Sequence, residues 1–479
     1  MNRSSVLWSA VRNWGPRFGT ILTFFVLARI LDKTEIGMFA AAYALVSLTE
    51  LFADNGFGDA IVRTQDITRG MTTSILILNF GLAVLIYALL TLFSPEIGGL
   101  LGVTGIEPVL QLVGLSLVLN SFGYVPQALL RKEFQFKRLA FRSLASTVFG
   151  ALTGLAMAFL GFGVYSMVGQ LLATTVINVA FLWYPPVLRP AAPQIAGMKH
   201  VLHYALGIFG SRVLNYASLR MIEIVIPIFF GPAALALYIM GSRVPAVVAQ
   251  MLTAVMVDVN LPHFSRLVDR PPLLREAFYT SLRSLSMISA PAFISIAALS
   301  PEIARICFGS NGIDSDYIMF LAAILGAAQS IGYCNEVMLN AWGLPRVVFR
   351  MQCCAALLVA VILTVLQHSS VFTLVTAYVC CHITVIVGGI LYGSHKTEVS
   401  VKTIISKCGA FFLSALAALA AVHLTRSYAI SPDYPILLKA MMLGMLFVAT
   451  YVVGIGLLDR DALRGWWNRA RMIRAWKKA

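Results

Sequence analysis

The sequence predicts an all-α polytopic membrane protein of about fourteen transmembrane helices, arranged as two six-helix repeats plus two C-terminal helices. Three observations predict it. Hydrophobic residues make up 59% of the 479-residue chain and charged residues 12%, against roughly 25% charged in a soluble chain. Apolar runs of about 20 residues, each able to cross about 30 Å of hydrocarbon as a helix, recur from end to end. Their period is too long for barrel strands, which need only about ten alternating residues. The third observation is that Lys and Arg concentrate at alternate joints between the runs.

Met1 to Arg17 carries Arg3, Arg12 and Arg17 among Trp8 and Trp14. It lacks the short apolar core and small-residue cleavage site of a signal peptide and reads as an amphipathic, interfacial lead into the first span. The N-terminal half, 1–200, holds spans at 13–31, 35–55, 72–93, 108–128, 141–161 and 164–185. Ser94-Pro95, Gly161-Phe162-Gly163 and Pro185-Pro186 punctuate it, because Gly and Pro break regular structure. The C-terminal half, 201–395, holds spans at 204–229, 232–255, 279–299, 316–338, 350–367 and 371–393, with Gly231-Pro232 and Ser300-Pro301 at joints. Residues 396–458 add spans at 405–425 and 436–458, parted at Ser431-Pro432. The tail, 459–479, interleaves Arg464 to Lys478 with Trp466, Trp467 and Trp476, a composition suited to an anionic inner leaflet.

An internal repeat supports the two halves. Ser94-Pro95-Glu96-Ile97 follows the third span, and Ser300-Pro301-Glu302-Ile303 follows the ninth. Leu31 to Phe39, after the first span, resembles Phe230 to Tyr238, after the seventh. Parallel repeats of this kind build alternating-access carriers.

Cytoplasmic joints attract Lys and Arg, so the N-terminus is placed inside. The joints assigned outside then hold only Arg29, Lys33, Arg305, Arg426 and Lys439 of the 36 basic residues. Both termini come out cytoplasmic, in a bacterial inner membrane. The same asymmetry accounts for the net charge of +15 without nucleic acid as a partner. Cys353, Cys354, Cys380, Cys381 and Cys408 fall inside spans and read as small apolar filling. Cys380-Cys381-His382 cannot converge on a metal from one helix. No Walker loop, cofactor motif or catalytic constellation is present in the sequence, and no cofactor, metal or enzymatic activity is expected.

Several runs carry a family resemblance: Asn13-Trp14-Gly15, Leu27 to Gly37 (LARILDKTEIG), Glu50 to Gly58 (ELFADNGFG) and Val125 to Arg138 (VPQALLRKEFQFKR). They resemble the Wzx/WzxC-type polysaccharide transporters, lipid-linked oligosaccharide flippases of the MOP superfamily, which also holds MATE drug exporters and lipid II flippases. The likeness is clearest over residues 10–170. It implies a substrate class of undecaprenyl-diphosphate-linked sugar repeat units, turned from the cytoplasmic to the periplasmic leaflet. It also implies membrane lipids, a polysaccharide polymerase and export machinery as partners, in exopolysaccharide or O-antigen assembly.

Charged groups inside spans are costly and need a reason. On the seventh span Arg212, Asn215, Tyr216, Arg220 and Glu223 fall within about 140° of one helix face. Arg243 lies some 16 Å into the eighth span by helical rise, and Arg283 near the inner end of the ninth. Arg212, Arg243, Arg220 and Arg283 are therefore candidate substrate-binding residues, since a guanidinium fork matches phosphate oxygens and stays protonated. Two of them carry a second reading: Arg220 and Glu223, three residues apart, can neutralise each other, and Arg283 can snorkel to head groups. Glu223 and Glu336 are the ion-coupling candidates. Glu50 and Asp54 close the second span, where a structural ion pair and a coupling role are equally open. Two other functions compete. A MATE-like small-molecule or drug exporter should line its path with carboxylates, whereas spans seven to nine carry more Arg than Asp and Glu. A membrane-embedded glycosyltransferase or polymerase should carry a long outer joint with clustered carboxylates, and none is seen.

Overall fold

In lipid every backbone N–H and C=O must be satisfied within the segment, which leaves the helix as the solution for these apolar runs. The computed structural model describes residues 3–54, 57–64, 67–184, 186–188, 191–194, 198–429, 431 and 434–459, with side chains described except at 3–14, 53, 54, 59, 63, 198–219, 254–259, 261 and 262. The helices are α1 (Arg3–Ile30), α2 (Lys33–Asp54), α3 (Phe57–Arg63), α4 (Arg69–Leu92), α5 (Ser94–Leu101), α6 (Glu107–Lys132), α7 (Phe136–Phe159), α8 (Tyr165–Trp183) and α9 (Met198–Ser265). They continue as α10 (Pro271–Ala298), α11 (Ser300–Phe308), α12 (Ser315–Ala341), α13 (Pro345–Val365), α14 (Val371–Thr397), α15 (Val401–Tyr428) and α16 (Ile436–Leu458).

The helix α9 is broken at Gly231, whose φ of 79° and ψ of 172° lie in a region open essentially to glycine. Pro232 then supplies no N–H. The Gly231-Pro232 joint expected from the sequence is therefore a real break, and α9 is two helices, 198–230 and 231–265. Twelve segments of the described residues are long and apolar enough to cross a membrane, the stretch Arg220–Thr253 across this break counting as one. With the break and α1 included, the long helices number fourteen among the described residues, one for each expected span.

The chain divides into two compact units, Met1–Ala236 and Leu237–Ala479. In the first, α6 is central and is touched by α2, α3, α4, α5, α7 and α8. The helices α7 and α8 approach closely through Gly150 and Gly154, where an added Cβ would lie 1.9 Å from Thr174 Oγ1 and 2.8 Å from Gln170 Cβ. This Gly-x-x-x-Gly spacing is how membrane helices bring backbones together when lipid supplies no hydrophobic drive. In the second unit α12 takes the place of α6. The pairs α4–α6, α6–α8, α7–α8 and α5–α6 recur as α10–α12, α12–α14, α13–α14 and α11–α12. The repeat seen in sequence is thus a repeated helix pairing.

The repeated Ser-Pro-Glu-Ile runs open short helices, α5 and α11, rather than loops. Proline is tolerated in a first turn because the N–H it lacks has no intrahelical acceptor there. Both serines are buried, but the glutamates differ: Glu96 is exposed and Glu302 is 4% exposed. The difference comes from the two additional helices. Phe411, Ala415, Ala418 and Val422 of α15 and Leu443, Phe447 and Tyr451 of α16 pack in one cluster with Ala290, Phe293 and Ile294 of α10. At the end of α15, Arg426 grips Glu302: Nε donates to Oε1 at 3.0 Å, and Nη2 to Oε2 at 2.5 Å and to the Ala298 carbonyl at 2.6 Å.

Removing one partner of a buried ion pair typically costs about 3–5 kcal/mol because the other charge is stranded. Arg426→Ala should therefore lower the thermal midpoint of the detergent-purified protein markedly. The double variant Arg426→Met/Glu302→Gln should recover most of that loss, and an unchanged midpoint for Arg426→Ala would show the pair to be dispensable.

Candidate functional site

In the first unit a carboxylate is held between two membrane helices. Glu50, half-buried on α2, accepts through Oε1 from Asn120 Nδ2 at 2.9 Å and from the Tyr124 hydroxyl at 2.7 Å. Asn120 and Tyr124 are four residues apart on α6 and so share a face. Asp54, grouped with Glu50 in the sequence, has its side chain outside the described residues. Sequence reading singled out Glu50 but missed its partners. The signal was available in part, since Asn120 and Tyr124 form a polar i, i+4 pair on α6.

Arg220 and Glu223 take the local arrangement their spacing allows. Arg220 Nη1 donates to both Glu223 oxygens, at 2.6 and 2.5 Å, on the part of α9 that belongs to the first unit. The pair is net neutral where it stands. Arg212, Asn215 and Tyr216, the rest of that polar face, have side chains outside the described residues.

The other candidates belong to the second unit. Arg243 is half-buried on the second helix of α9. Arg283 is ion-paired: Nη2 donates to Asp459 Oδ2 at 2.6 Å, tying α10 to the C-terminal end of α16. Glu336 is half-buried on α12 and makes no hydrogen bond or ion pair with the described residues. Beside it Asn335, 3% exposed, donates to the Gly389 carbonyl on α14 at 3.4 Å. One turn and a half earlier, Ser330 donates to Ser289 Oγ on α10 at 3.0 Å. Ser330 and Asn335 thus bond α12 to two different neighbours, α10 and α14, while the adjacent Glu336 has no bond among the described residues.

The basic joint between α6 and α7 has a structural role in addition to its charge. Lys132 Nζ donates to the Thr64 carbonyl at 2.6 Å, and Arg142, 8% exposed, donates from Nη1 to Gln127 Oε1 at 3.0 Å. These bonds fasten the end of α3 and the start of α7 to α6. Lys132, inside the Val125 to Arg138 run, and Arg142, just beyond it, thus order this joint.

A family model described as polysaccharide biosynthesis protein matches residues 26–315. The chain belongs to this family. Relatives include the lipopolysaccharide biosynthesis protein WzxC of Escherichia coli (strain K12), 22% identical over 69% of this chain and 68% of that one. Another is the succinoglycan biosynthesis transport protein ExoT of Rhizobium meliloti (strain 1021), 25% identical over 64% of this chain and 62% of that one. Among solved structures, the lipid II flippase MurJ in its inward closed conformation superposes with a TM-score of 0.76 at 14% identity, covering 96% of this chain and 100% of that one. At that identity the likeness establishes the fold, which is the polytopic helical fold predicted for this polysaccharide biosynthesis protein from its own sequence.

The geometry assigns Arg283 a bond that can be measured. If the Arg283–Asp459 pair fastens α16, then Arg283→Met and Asp459→Asn should lower the thermal midpoint by similar amounts. The double variant should fall no further than either single one, because contacting residues are non-additive. Additive losses would show the two residues acting apart.

Proposed function

We propose that this chain is a flippase that carries an undecaprenyl-diphosphate-linked oligosaccharide repeat unit from the cytoplasmic to the periplasmic leaflet by alternating access. The observation that carries this reading is a polysaccharide biosynthesis family match on a chain folded as two repeats of membrane helices. The relatives support it, one named for lipopolysaccharide biosynthesis and one for transport in succinoglycan biosynthesis, and a lipid II flippase has the fold. In this reading the chain is a carrier and not a catalyst. It lies in a bacterial inner membrane with both termini in the cytoplasm, as the alternation of Lys and Arg favours. Its partners are the lipid-linked substrate and the surrounding lipids, and a polymerase with its export machinery receives the product.

A diphosphate crossing the hydrocarbon must have its charge matched along its route. Four arginines of the membrane helices are offered for this, Arg212, Arg220, Arg243 and Arg283. Arg220 and Arg283 are engaged by Glu223 and Asp459, so a phosphate would have to compete with a carboxylate at both. Arg243, half-buried on the second helix of α9, is the one to test first. Arg243→Ala should cut flipping of the lipid-linked oligosaccharide into proteoliposomes at least tenfold, normalised to folded protein. Arg243→Lys should retain part of the activity, since a point charge replaces a bidentate fork. Full normalised activity in the Ala variant would remove Arg243 from the route.

With no nucleotide motif in the chain, the cycle is driven by an ion gradient or by the substrate gradient. Glu336 is the better of the two coupling candidates, because Glu223 is already neutralised by Arg220. Glu336→Gln should preserve flipping down a substrate gradient and lose the response to an imposed pH gradient across the vesicle. A variant that keeps the full response would place coupling elsewhere, with Glu50 the next carboxylate to examine.

A further inference from the structure

The second unit has a cleft of about 630 Å³ that none of the foregoing uses. It lies where the N-terminal ends of α12 and α14 come together. Asp314, Asp316 and Tyr317 line one side, and Phe372, Thr373 and Thr376 the other. We propose that this cleft binds the uncharged sugar portion of the substrate through its hydroxyl groups and the apolar face of a pyranose ring.

The lining is built from what that chemistry requires. Carboxylate oxygens accept from pairs of neighbouring sugar hydroxyls in short, charge-assisted bonds. The C–H face of the ring packs on an aromatic face, which offers large area at a small entropy cost. Tyr317 is 45% exposed and is fixed rather than loose. Its ring meets Phe372 edge-on, with centroids 5.8 Å apart and planes at 74°. Its hydroxyl lies 3.2 Å from Thr376 Oγ1, which itself donates to the Phe372 carbonyl at 2.7 Å. Asp316 is steadied through Oδ1, which accepts the Tyr317 N–H at 2.9 Å and leaves Oδ2 for another donor.

The plain alternative for Asp314 and Asp316 is stabilisation of the positive end of α12. Asp316, in the first turn, is well placed for that. Asp314 is at the N-cap position but makes no capping bond, and its carboxylate makes no hydrogen bond or ion pair with the described residues. Two carboxylates also repel a diphosphate, so an anionic head group is a poor occupant, whereas a neutral or amino sugar is a good one. A bare cation would satisfy the carboxylates but leave the exposed part of the Tyr317 ring uncovered. The cleft opens at the same end of the unit as α11, which is the periplasmic end in the proposed topology, where the glycan arrives.

The proposal rests on the flippase reading for its substrate class, and the test separates the two. Purified full-length protein in detergent is mixed with a panel of neutral disaccharides, maltose, cellobiose and lactose, and saturation-transfer difference NMR is recorded. At least one should give a signal, reduced fivefold or more in Tyr317→Ala and in Asp314→Asn and retained in Tyr317→Phe, all at an unchanged thermal midpoint. The same Tyr317→Ala variant should flip lipid-linked oligosaccharide at least fivefold more slowly than the parent. No signal from any disaccharide, or equal signals in parent and variants, would overturn the cleft assignment even if the parent flips its substrate. Binding of Ca²⁺ alone, lost in Asp314→Asn and kept in Tyr317→Ala, would also overturn it and make the cleft a cation site. A disaccharide signal with the expected losses, in a parent protein that moves no lipid-linked sugar, would leave the cleft standing and fail the flippase reading.

Discussion

Glu302 is a buried carboxylate, and one arginine from an additional helix neutralises it. The guanidinium of Arg426 spans both its oxygens and reaches on to the carbonyl that ends α10. A single side chain therefore links α10, α11 and α15 at one end of the unit. The first repeat shows what happens without it. Glu96 begins an equivalent short helix after an equivalent span, has no additional helix pair beside it, and stays exposed. The same four-residue run thus has two fates, and the additional helices decide which. Their apolar faces pack on α10 through small residues as well as large ones, since Ala415 and Ala418 let α15 sit close to Phe293 and Ile294.

Much of this fold could be read from the chain because lipid leaves so few choices. An apolar run of sufficient length must be helical and must cross, so the fourteen runs correspond to fourteen long helices among the described residues, and Gly231-Pro232 was legible as the break between two of them. The short helices α3, α5 and α11 were read as joints, because seven to nine residues carry too little periodicity to separate a helix from a turn. The pairing of helices was less accessible still. In lipid the hydrophobic pattern is nearly uniform round a helix, so it does not reveal which face meets which neighbour. Close approach is set instead by glycines such as Gly150 and Gly154, whose meaning appears only when α8 is placed against them.

The charged residues divide along the same line. Arg220 and Glu223 are three positions apart, and that spacing was enough to foresee their bond. Arg283 with Asp459, Arg426 with Glu302, and Glu50 with Asn120 and Tyr124 join residues far apart in sequence. No local pattern encodes such a partner. Each of these residues could be flagged as costly in a membrane, but whether the cost is offset by a neighbour or kept for a ligand depends on the packing of other helices. Arg283 shows the consequence: its position suggested a route residue, and its guanidinium is bonded to Asp459, a partner 176 positions away.

This sorting leaves unequal resources in the second unit. The ion pairs at Arg283 and Arg426 have their charge cancelled internally and serve packing. Glu336, near the C-terminal end of α12, has no such partner among the described residues. The cleft at the opposite end of the same helix holds Asp314 and Asp316 beside aromatic rings. One helix therefore carries an unbonded carboxylate within the membrane at one end and a polyhydroxyl-friendly surface at the other, joined by side-chain bonds to α10 and α14 through Ser330 and Asn335. A substrate that is anionic at its lipid link and neutral along its sugars demands different chemistry at different depths. Because α12 is the helix on which the rest of its repeat packs, a change in its tilt or rotation would move both ends together. That mechanical unity is what separate sites on separate helices would lack.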